Sequence, residues 1–291
     1  QRASGKPVFL VANRQGSGAD ELAISSTYQG LPVIDGVTQF LVGARCLLAY
    51  RDFQQRAVMK CDVTDQQKVD YWKRQLQDCD YVSESLASEL LRDFGIPMIQ
   101  SLEVSSLDEL QTAVLNVGFP LVLKTAVQGI DHKTEVGGVI LNISDQPQLQ
   151  DAYEDLLQRL GPAVTVAPMA DNNGVEMILG VSRDEQFGPT VVVGFGGIYA
   201  EILSDVAVML PPFDSAEVKR VLKSLSMYPL LEGVRGGSPL DIDSYCDVAA
   251  KMSAIALALS DSVVEIDINP VRLGVKGCIG LDALVVQEQK N

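Results

Sequence analysis

The chain has 291 residues, of which 47% are hydrophobic and 21% charged. This composition is typical of a folded protein with a sizeable core and room for about two domains. Its formal net charge of −15 argues against nucleic acid and anionic membranes as general partners, because the diffuse field would repel both. An anionic nucleotide would therefore need local lysines and a metal ion.

The sequence contains no apolar run near the roughly 20 residues of a membrane span, and no signal-peptide core at its N-terminus. The five cysteines form neither a CxxC pair nor a Cys/His cluster. We expect them to be reduced packing residues in a cytoplasmic protein.

The first 60 residues predict two strands and one helix: Lys6 to Ala12, Leu31 to Ile34 and Thr38 to Tyr50. A piece of this size cannot cover both faces of a parallel sheet. The strands therefore either extend a sheet whose other strands lie outside this chain or pack on the following domain.

A helical region follows. Residues 63–78 lack a clear apolar stripe, with Trp72 as one large anchor, and predict a linker helix. Ser83 is then a predicted N-cap, next to the charge of Glu84, for a helix that ends before Gly95-Ile96-Pro97. The spacing of apolar residues predicts another helix over Ser106 to Val117.

The segment FPLVLKTAVQGIDHKTEVGGV has a layout suited to phosphate. A buried strand, Leu121 to Leu123, ends on Lys124, and a polar loop holds the only histidine, His132, beside Lys133. The loop closes on Gly137-Gly138, where backbone N–H groups could approach a polyanion without Cβ obstruction. A buried strand with a snorkelling lysine and an ordinary surface loop is the alternative.

Downstream, strands and helices mix without strict βαβ regularity, which favours a split α+β fold over a plain Rossmann domain. The predicted helices are Gln148 to Leu160, Ala216 to Leu222 and Ser244 to Leu259. The predicted strands are Val164 to Pro168, Val175 to Val181, Thr190 to Phe195, Val263 to Val271 and a final one holding Gly280 to Ala283.

Asn269 and Asp282 are the best metal candidates, because two oxygen ligands on neighbouring strands suit Mg²⁺. Asp267 has the same side-chain parity as Asn269 and could be an additional or second-shell ligand. Alternatively, these polar residues form only the solvated face of an edge strand.

Other positions carry weaker signals. Gly194 to Gly197 could be a phosphate-approaching loop, and Arg235-Gly236-Gly237 before Asp241 suits either an anionic group or a surface turn. Glu176 and Glu201 lie inside apolar strand patterns, so each is either outward-facing or paired with a cation, ligand or metal.

Six ordered motifs resemble the ATP-grasp half of the ADP-forming (NDP-forming) acyl-CoA synthetases, relatives of the succinyl-CoA synthetase β subunit. They are GFPLVLKT, DHKTEVGGV, APMADNNGVEMILGV, GFGGIYAE, RGGSPLDID and EIDINPV, and the resemblance covers roughly residues 80–289. It implies an α/β chain with an ATP-grasp fold, in which two α+β subdomains grip MgATP.

The resemblance also implies residue roles. Lys124 would contact nucleotide phosphate, Val166 to Met169 would be the hinge strand against adenine, and Glu176 would lie near the nucleotide. The remaining ligand contacts are assigned to Gly196 and Gly197 near the phosphates, Arg235 in the glycine loop, and Asn269 with Asp282 on Mg²⁺. His132, Lys133 and Glu201 are the catalytic candidates, and His132 matches a histidine that receives the phosphoryl group in some members.

The family reaction converts a carboxylic acid, CoA and ATP to acyl-CoA, ADP and phosphate, with a mobile histidine as phosphoryl shuttle. Residues 1–60 resemble the C-terminal part of a flavodoxin-like CoA-ligase domain, 61–80 form the linker helix, and 81–291 form the ATP-grasp domain. The CoA-binding domain and the shuttle segment are missing. We therefore expect those domains in cis or as another subunit, and an oligomer.

Two other functions stay open. One is an ATP-grasp carboxylate-amine or carboxylate-thiol ligase without a phosphohistidine. The other is a non-catalytic, nucleotide-binding regulatory module, which would bind nucleotide without any phosphoryl transfer.

Overall fold

A computed structural model describes residues 8–13, 20–55, 65–130, 133–171, 173–197, 204–234 and 236–288. The chain divides into two units, Gln1–Val58 and Met59–Asn291. None of the helices in these ranges is both long enough and apolar enough to span a bilayer.

The first unit contains four elements in the order strand, helix, strand, helix. They are β1 (Leu10–Ala12), α1 (Glu21–Tyr28), β2 (Val33–Asp35) and α2 (Val37–Gln54). β1 and β2 pair in parallel as a two-stranded sheet, and neither helix buries a residue. The predicted strands and helix are therefore present, although part of Lys6 to Ala12 lies outside the described residues.

The second unit contains the remaining elements. Its helices are α3 (Gln66–Asp78), α4 (Glu84–Asp93), α5 (Leu107–Val117), α6 (Gln146–Arg159), α7 (Ser215–Leu222), α8 (Tyr228–Leu231) and α9 (Ile242–Ala258). Its strands are β3 (Leu102–Val104), β4 (Leu121–Thr125), β5 (Val139–Ile143), β6 (Val164–Pro168), β7 (Val175–Asp184), β8 (Gly188–Phe195), β9 (Val206–Met209), β10 (Val263–Leu273), β11 (Cys278–Gly280) and β12 (Leu284–Gln287).

These strands form two sheets. One has four strands in the order β3-β6-β4-β5, and the other has six, ordered β11-β10-β7-β8-β9 with β12 also on β10. Every named strand pair in the two sheets is antiparallel. The predicted α+β organisation is thus confirmed, and a Rossmann arrangement of parallel strands is excluded for this unit.

Local sequence explains the helix starts. Ser83, a predicted N-cap, and Ser106 accept hydrogen bonds from the Leu86 and Glu109 backbone N–H groups, respectively. Asp145 and Asp214 cap α6 and α7 in the same way. Such caps satisfy N–H groups that have no partner within the helix.

The four-stranded sheet has two different faces. On one face Leu121, Leu123, Val164 and Val166 form a core with α5 and α6. Since side chains alternate along a strand, Lys124 and Thr165 lie on the opposite face. Lys124 is nevertheless only 7% exposed, because other parts of the second unit cover this face.

The helix at residues 66–78 corrects one expectation. Val69, Trp72 and Leu76 are all buried and share one side of α3, so the apolar stripe is present at helical spacing. All three join the core beneath the six-stranded sheet, and the Trp72 Nε1–H donates to Asp93 at 2.9 Å. α3 is therefore packed into the second unit rather than held apart as a bare linker.

The predicted final strand over Gly280 to Ala283 is also wrong, because residues 281–283 connect β11 with β12. β12 pairs with the first half of β10, and β11 pairs with its end. The stretch of β10 that neither strand pairs with includes Asn269 and Pro270. Proline has no N–H to donate to the ladder, although its carbonyl accepts from Leu281 at 3.0 Å. Asp282 consequently lies on this connection.

A denaturation measurement tests the packing of α3. We expect Trp72→Ala to lower the free energy of unfolding of the second unit by about 3–5 kcal/mol, the usual effect of deleting a large buried side chain. Tyr71→Ala is the matched control, because its ring is 45% exposed. Equal effects of the two substitutions would show that α3 does not contribute to the core.

Candidate functional site

Four charged side chains meet on the face of the four-stranded sheet that lies opposite α5 and α6. We call Glu84, Lys124, Lys133 and Asp282 the ion cluster. The Lys124 Nζ lies 3.0 Å from Glu84 Oε1 and 3.2 Å from Asp282 Oδ2, and the Lys133 Nζ lies 3.3 Å from Asp282 Oδ1 and contacts Glu84 Oε2. Side-chain exposure is 7% for Glu84, 9% for Lys124, 14% for Lys133 and 27% for Asp282.

Each member comes from a different element. The Ser83 cap places Glu84 at the first residue of α4, and Lys124 is on β4. Lys133 lies in the loop between β4 and β5, where its carbonyl accepts from the Gly138 N–H at 2.7 Å. Lys124 also donates to the Leu281 carbonyl at 2.7 Å, next to Asp282 on the β11–β12 connection.

Electrostatics favour the charged form of Lys133. Burial acts to lower the pKa of Lys133, but the carboxylates of Asp282 and Glu84 outweigh it and raise the pKa above the ordinary lysine value. The formal charges of two ammonium groups and two carboxylates cancel, so the net charge of the ion cluster is close to zero. Paired charges of this kind can be buried where single ones cannot.

A cavity of about 380 Å³ opens beside the cluster. Its lining includes Lys133 and all three metal candidates, Asp267, Asn269 and Asp282. The structure therefore brings together on one cavity the predicted phosphate loop and the predicted metal residues.

These residues fit a magnesium ion that shares its shell with a ligand. Mg²⁺ in phosphate sites takes one or two protein oxygens and fills its remaining positions with waters and phosphate oxygens. Asn269 and Asp282 supply that donor type. Within the described residues no three His, Cys, Asp or Glu side chains are grouped as a protein-only metal cage.

A second cavity, of about 880 Å³, lies at the predicted hinge. Pro168 and Ala170 line it together with Ile99, Arg272 and Ile279. Met169 is half-buried between Pro168 and Ala170, and its N–H donates to the Pro120 carbonyl at 2.9 Å.

Val166 does not lie with these hinge residues. Its side chain is fully buried in the core with α5 and α6, and its backbone pairs with Leu102 and Leu123 on the neighbouring strands. The alternation of β6 explains the difference, because Thr165 and Ala167 take the face that Lys124 shares. The Val166 side chain therefore does not line this cavity, and the hinge role of Val166 to Met169 stays a prediction.

Two segments run from the hinge cavity to the ion cluster. One is β6 from Pro168 to Thr165, which pairs with Lys124, and the other runs from Ile279 to Asp282. Three residues of extended chain span about 10 Å. Each segment thus separates the hinge cavity from the ion cluster by only about 10 Å, and the bond from Lys124 to the Leu281 carbonyl joins the two segments.

The Glu176 carboxylate has a partner that the sequence did not indicate. Arg272 donates to Glu176 Oε1 at 2.8 Å, and a Cβ on Gly197 would lie 2.2 Å from Oε2. Gly196 donates its N–H to the Glu176 carbonyl at 2.8 Å. Glu176, Gly196 and Gly197 therefore lie together, and a side chain at residue 197 would displace the Glu176 carboxylate.

Asp241 has a structural role. It caps α9 by accepting from the Ser244 N–H, and its second oxygen accepts from Gly277 at 2.9 Å in the β10–β11 turn. The other three predicted site residues, His132, Glu201 and Arg235, lie outside the described residues, so their roles stay predictions.

Two site residues were missed in the sequence. Glu84 shares a helical face with Ala87 and Leu91, at spacings of three and seven, so the periodicity of α4 could have placed it on the buried side. Arg272 gave no such signal. β10 shifts register against β7 between Ile268 and Val271, which changes the side on which the following residues lie.

Comparison with known proteins shows which family has this architecture. The ATP-grasp domain family matches residues 75–286. The chain is 33% identical over 213 residues to the acetate–CoA ligase (ADP-forming) I subunit beta of Pyrococcus furiosus, a match that covers 70% of this chain and 90% of the subunit. It therefore belongs to the ATP-grasp family of the ADP-forming acyl-CoA synthetases, as the six motifs indicated.

Two further relatives extend the comparison. The chain is 34% identical over 218 residues to a trans-feruloyl-CoA synthase from an unknown prokaryotic organism, which covers 72% of this chain and only 31% of the synthase. An acetyl-coenzyme A synthetase structure from Ca. Korarchaeum cryptofilum, in complex with coenzyme A and Mg-AMPPCP, has a TM-score of 0.65 at 29% identity. That match covers 77% of this chain and 100% of the solved chain, whose phosphohistidine segment points towards its nucleotide binding site.

Removal of one cluster cation should destabilise the second unit. We expect Lys124→Met to lower its free energy of unfolding by about 3 kcal/mol, because two buried carboxylates would then share one lysine. Lys73→Met is the control, since it breaks a more exposed pair with Asp261 and should change stability by less than about 1 kcal/mol. If denaturant titrations give the two variants equal stability, the cluster is not a buried, mutually dependent network.

Proposed function

We propose that this chain is the ATP-binding and phosphoryl-transfer part of an ADP-forming acyl-CoA synthetase. The observation that supports it best is that one cavity brings Lys133 together with the magnesium candidates, beside the ion pairs of Lys124 and Lys133, and that a second cavity lies at the predicted hinge. Membership of the synthetase family adds to this.

The nucleotide would span the two cavities. The base would occupy the hinge cavity beside Pro168 and Met169, and the triphosphate would reach Lys124 and Lys133. Asn269 and Asp282 would hold Mg²⁺, with Asp267 on the same cavity wall, and the ion would supply neutralisation of phosphate charge. The remaining contacts with the nucleotide are those that the family resemblance implies, from Glu176, Gly196, Gly197, Glu201 and Arg235.

The chemistry is phosphoryl transfer to histidine. A neutral imidazole nitrogen of His132 attacks the γ-phosphorus of ATP, the bond to the bridging oxygen breaks, and ADP leaves. Lys133, the next residue in the chain, and Lys124 stabilise the charge on the transferring group. The phosphoryl group then passes to a shuttle histidine of the partner domain and on to a carboxylic acid. The thiol of CoA displaces phosphate from the resulting acyl phosphate.

The first unit supports a partner that completes the enzyme. A two-stranded parallel sheet is rarely stable alone, and helices that are apolar on all sides are normally buried. In α2, Leu41, Val42, Leu47 and Phe53 are 50–60% exposed and fall on more than one side of the helix. We assign residues 1–60 to a flavodoxin-like CoA-ligase domain, completed either in cis or by another subunit.

Binding of the nucleotide is tested by calorimetric titration with Mg-ATP. We expect Asn269→Ala to weaken binding about tenfold, since a metal ligand is lost, and chelation of Mg²⁺ to weaken wild-type binding at least as much. Glu265→Ala is the matched control, because Glu265 is an exposed residue of the same strand. Absence of wild-type binding would contradict the proposed function.

Transfer itself is tested with γ-labelled ATP and Mg²⁺. We expect acid-labile, base-stable label on the wild-type protein and none on His132→Ala, because a phosphorylated imidazole has that stability. Label retained in His132→Ala would refute the histidine step. Binding without label, or turnover that depends on an amine, would favour the regulatory module or the shuttle-free ligase.

A further inference from the structure

Glu84 has no place in the function proposed above, yet both of its oxygens are in use. Oε1 pairs with Lys124 and Oε2 with Lys133. We propose that Glu84 is a positioning residue of the phosphate site, whose carboxylate holds the two lysines side by side toward one phosphate group. This inference rests on the proposed function and deepens it.

The support for Glu84 is more rigid than that of the lysine it contacts in the loop. It occupies the first turn of α4, a helix seated in the core through Ala87, Leu90 and Leu91, all of them 0% exposed. Lys133 lies in a loop, and a lysine side chain has four rotatable carbon–carbon bonds. A fixed carboxylate therefore defines where the Lys133 ammonium group stands.

Lys124 reaches the same carboxylate from a different direction. Its strand fixes the backbone, and its ammonium group also donates to the Leu281 carbonyl. Two ammonium groups that share neighbours repel each other, and a carboxylate with one oxygen on each offsets that repulsion. Glu84 thus sets the separation of the two cations as well as their direction.

Exposure distinguishes Glu84 from the other carboxylate of the ion cluster. The Asp282 side chain is 27% exposed, whereas that of Glu84 is 7% exposed. Both side chains line the cavity, and Asp282, the more exposed of the two, is the one assigned to the metal. When Asp282 gives up its contacts with the lysines to bind a ligand in the cavity, Glu84 is the carboxylate that still holds both lysines.

The test measures affinity for the magnesium complex of β,γ-methylene ATP by calorimetry. We expect Glu84→Gln to weaken binding about tenfold, because an amide can accept from one lysine only and turns an NH₂ group toward the other. Glu89→Gln is the matched control on the same helix, since Glu89 is exposed, and it should bind within about twofold of wild type.

A double-mutant cycle separates positioning from general destabilisation. If Glu84 acts through the lysines, its effect shrinks from about tenfold to less than about threefold in a Lys133→Gln background. A purely structural role would lower the melting temperature and leave the two effects on affinity multiplicative. Should Glu84→Gln fail to fold, Glu84→Asp replaces it, with an expected three- to fivefold loss because the carboxylate is about one methylene too short to reach both lysines.

Wild-type affinity in Glu84→Gln, or in Glu84→Asp if that variant is used, would overturn the inference. Tighter binding would also overturn it, since Glu84 would then compete with phosphate for the lysines instead of positioning them. No binding by the wild-type protein would refute the proposed function itself, so the two failures are distinguishable.

Discussion

The structure of the second unit depends on the mutual neutralisation of four charges, two of them buried and two half-buried. Glu84, Lys124, Lys133 and Asp282 come from a helix, a strand, a loop and a connection that are far apart in sequence. Each charge is tolerated only because the others are present, since an isolated buried ion is severely penalised. The cluster therefore links the four-stranded sheet to α4 and to the edge of the six-stranded sheet.

The near-neutrality of the ion cluster affects how the nucleotide would bind. A chain with a net charge of −15 repels a nucleotide at long range, so affinity must come from local groups. The lysines are already paired, and an entering phosphate must displace Asp282 from them while Glu84 keeps its pairs. Binding is then a difference between two sets of ion pairs, and a metal that takes over Asp282 favours the phosphate set.

Much of the fold was readable from local patterns, and much of the site was not. Caps such as Ser83 and the alternation in β10 predicted elements, and the six ordered motifs predicted the family, because each depends on neighbours in sequence. The partner of Glu84 is Lys124, 40 residues away, and no local pattern specifies such a pair. Likewise, the register shift in β10 places Arg272 opposite Glu176. The strand pairing is interrupted beside Pro270, so Asp282 lies on a connection and not on a strand.

The division of labour in the proposed enzyme follows from the same geometry. The cavity beside the ion cluster contains residues suited to phosphate and a metal, and the chain spans nearly all of one relative's subunit but under a third of another relative. In the proposed enzyme the acyl site would lie on separate domains, so a phosphoryl group would have to travel between them. A phosphohistidine, which holds the group through a P–N bond, can be carried by a mobile segment, whereas ATP bound at the lysines cannot. The paired lysines would therefore fix the donor in place, and mobility would belong to the shuttle histidine of the partner domain.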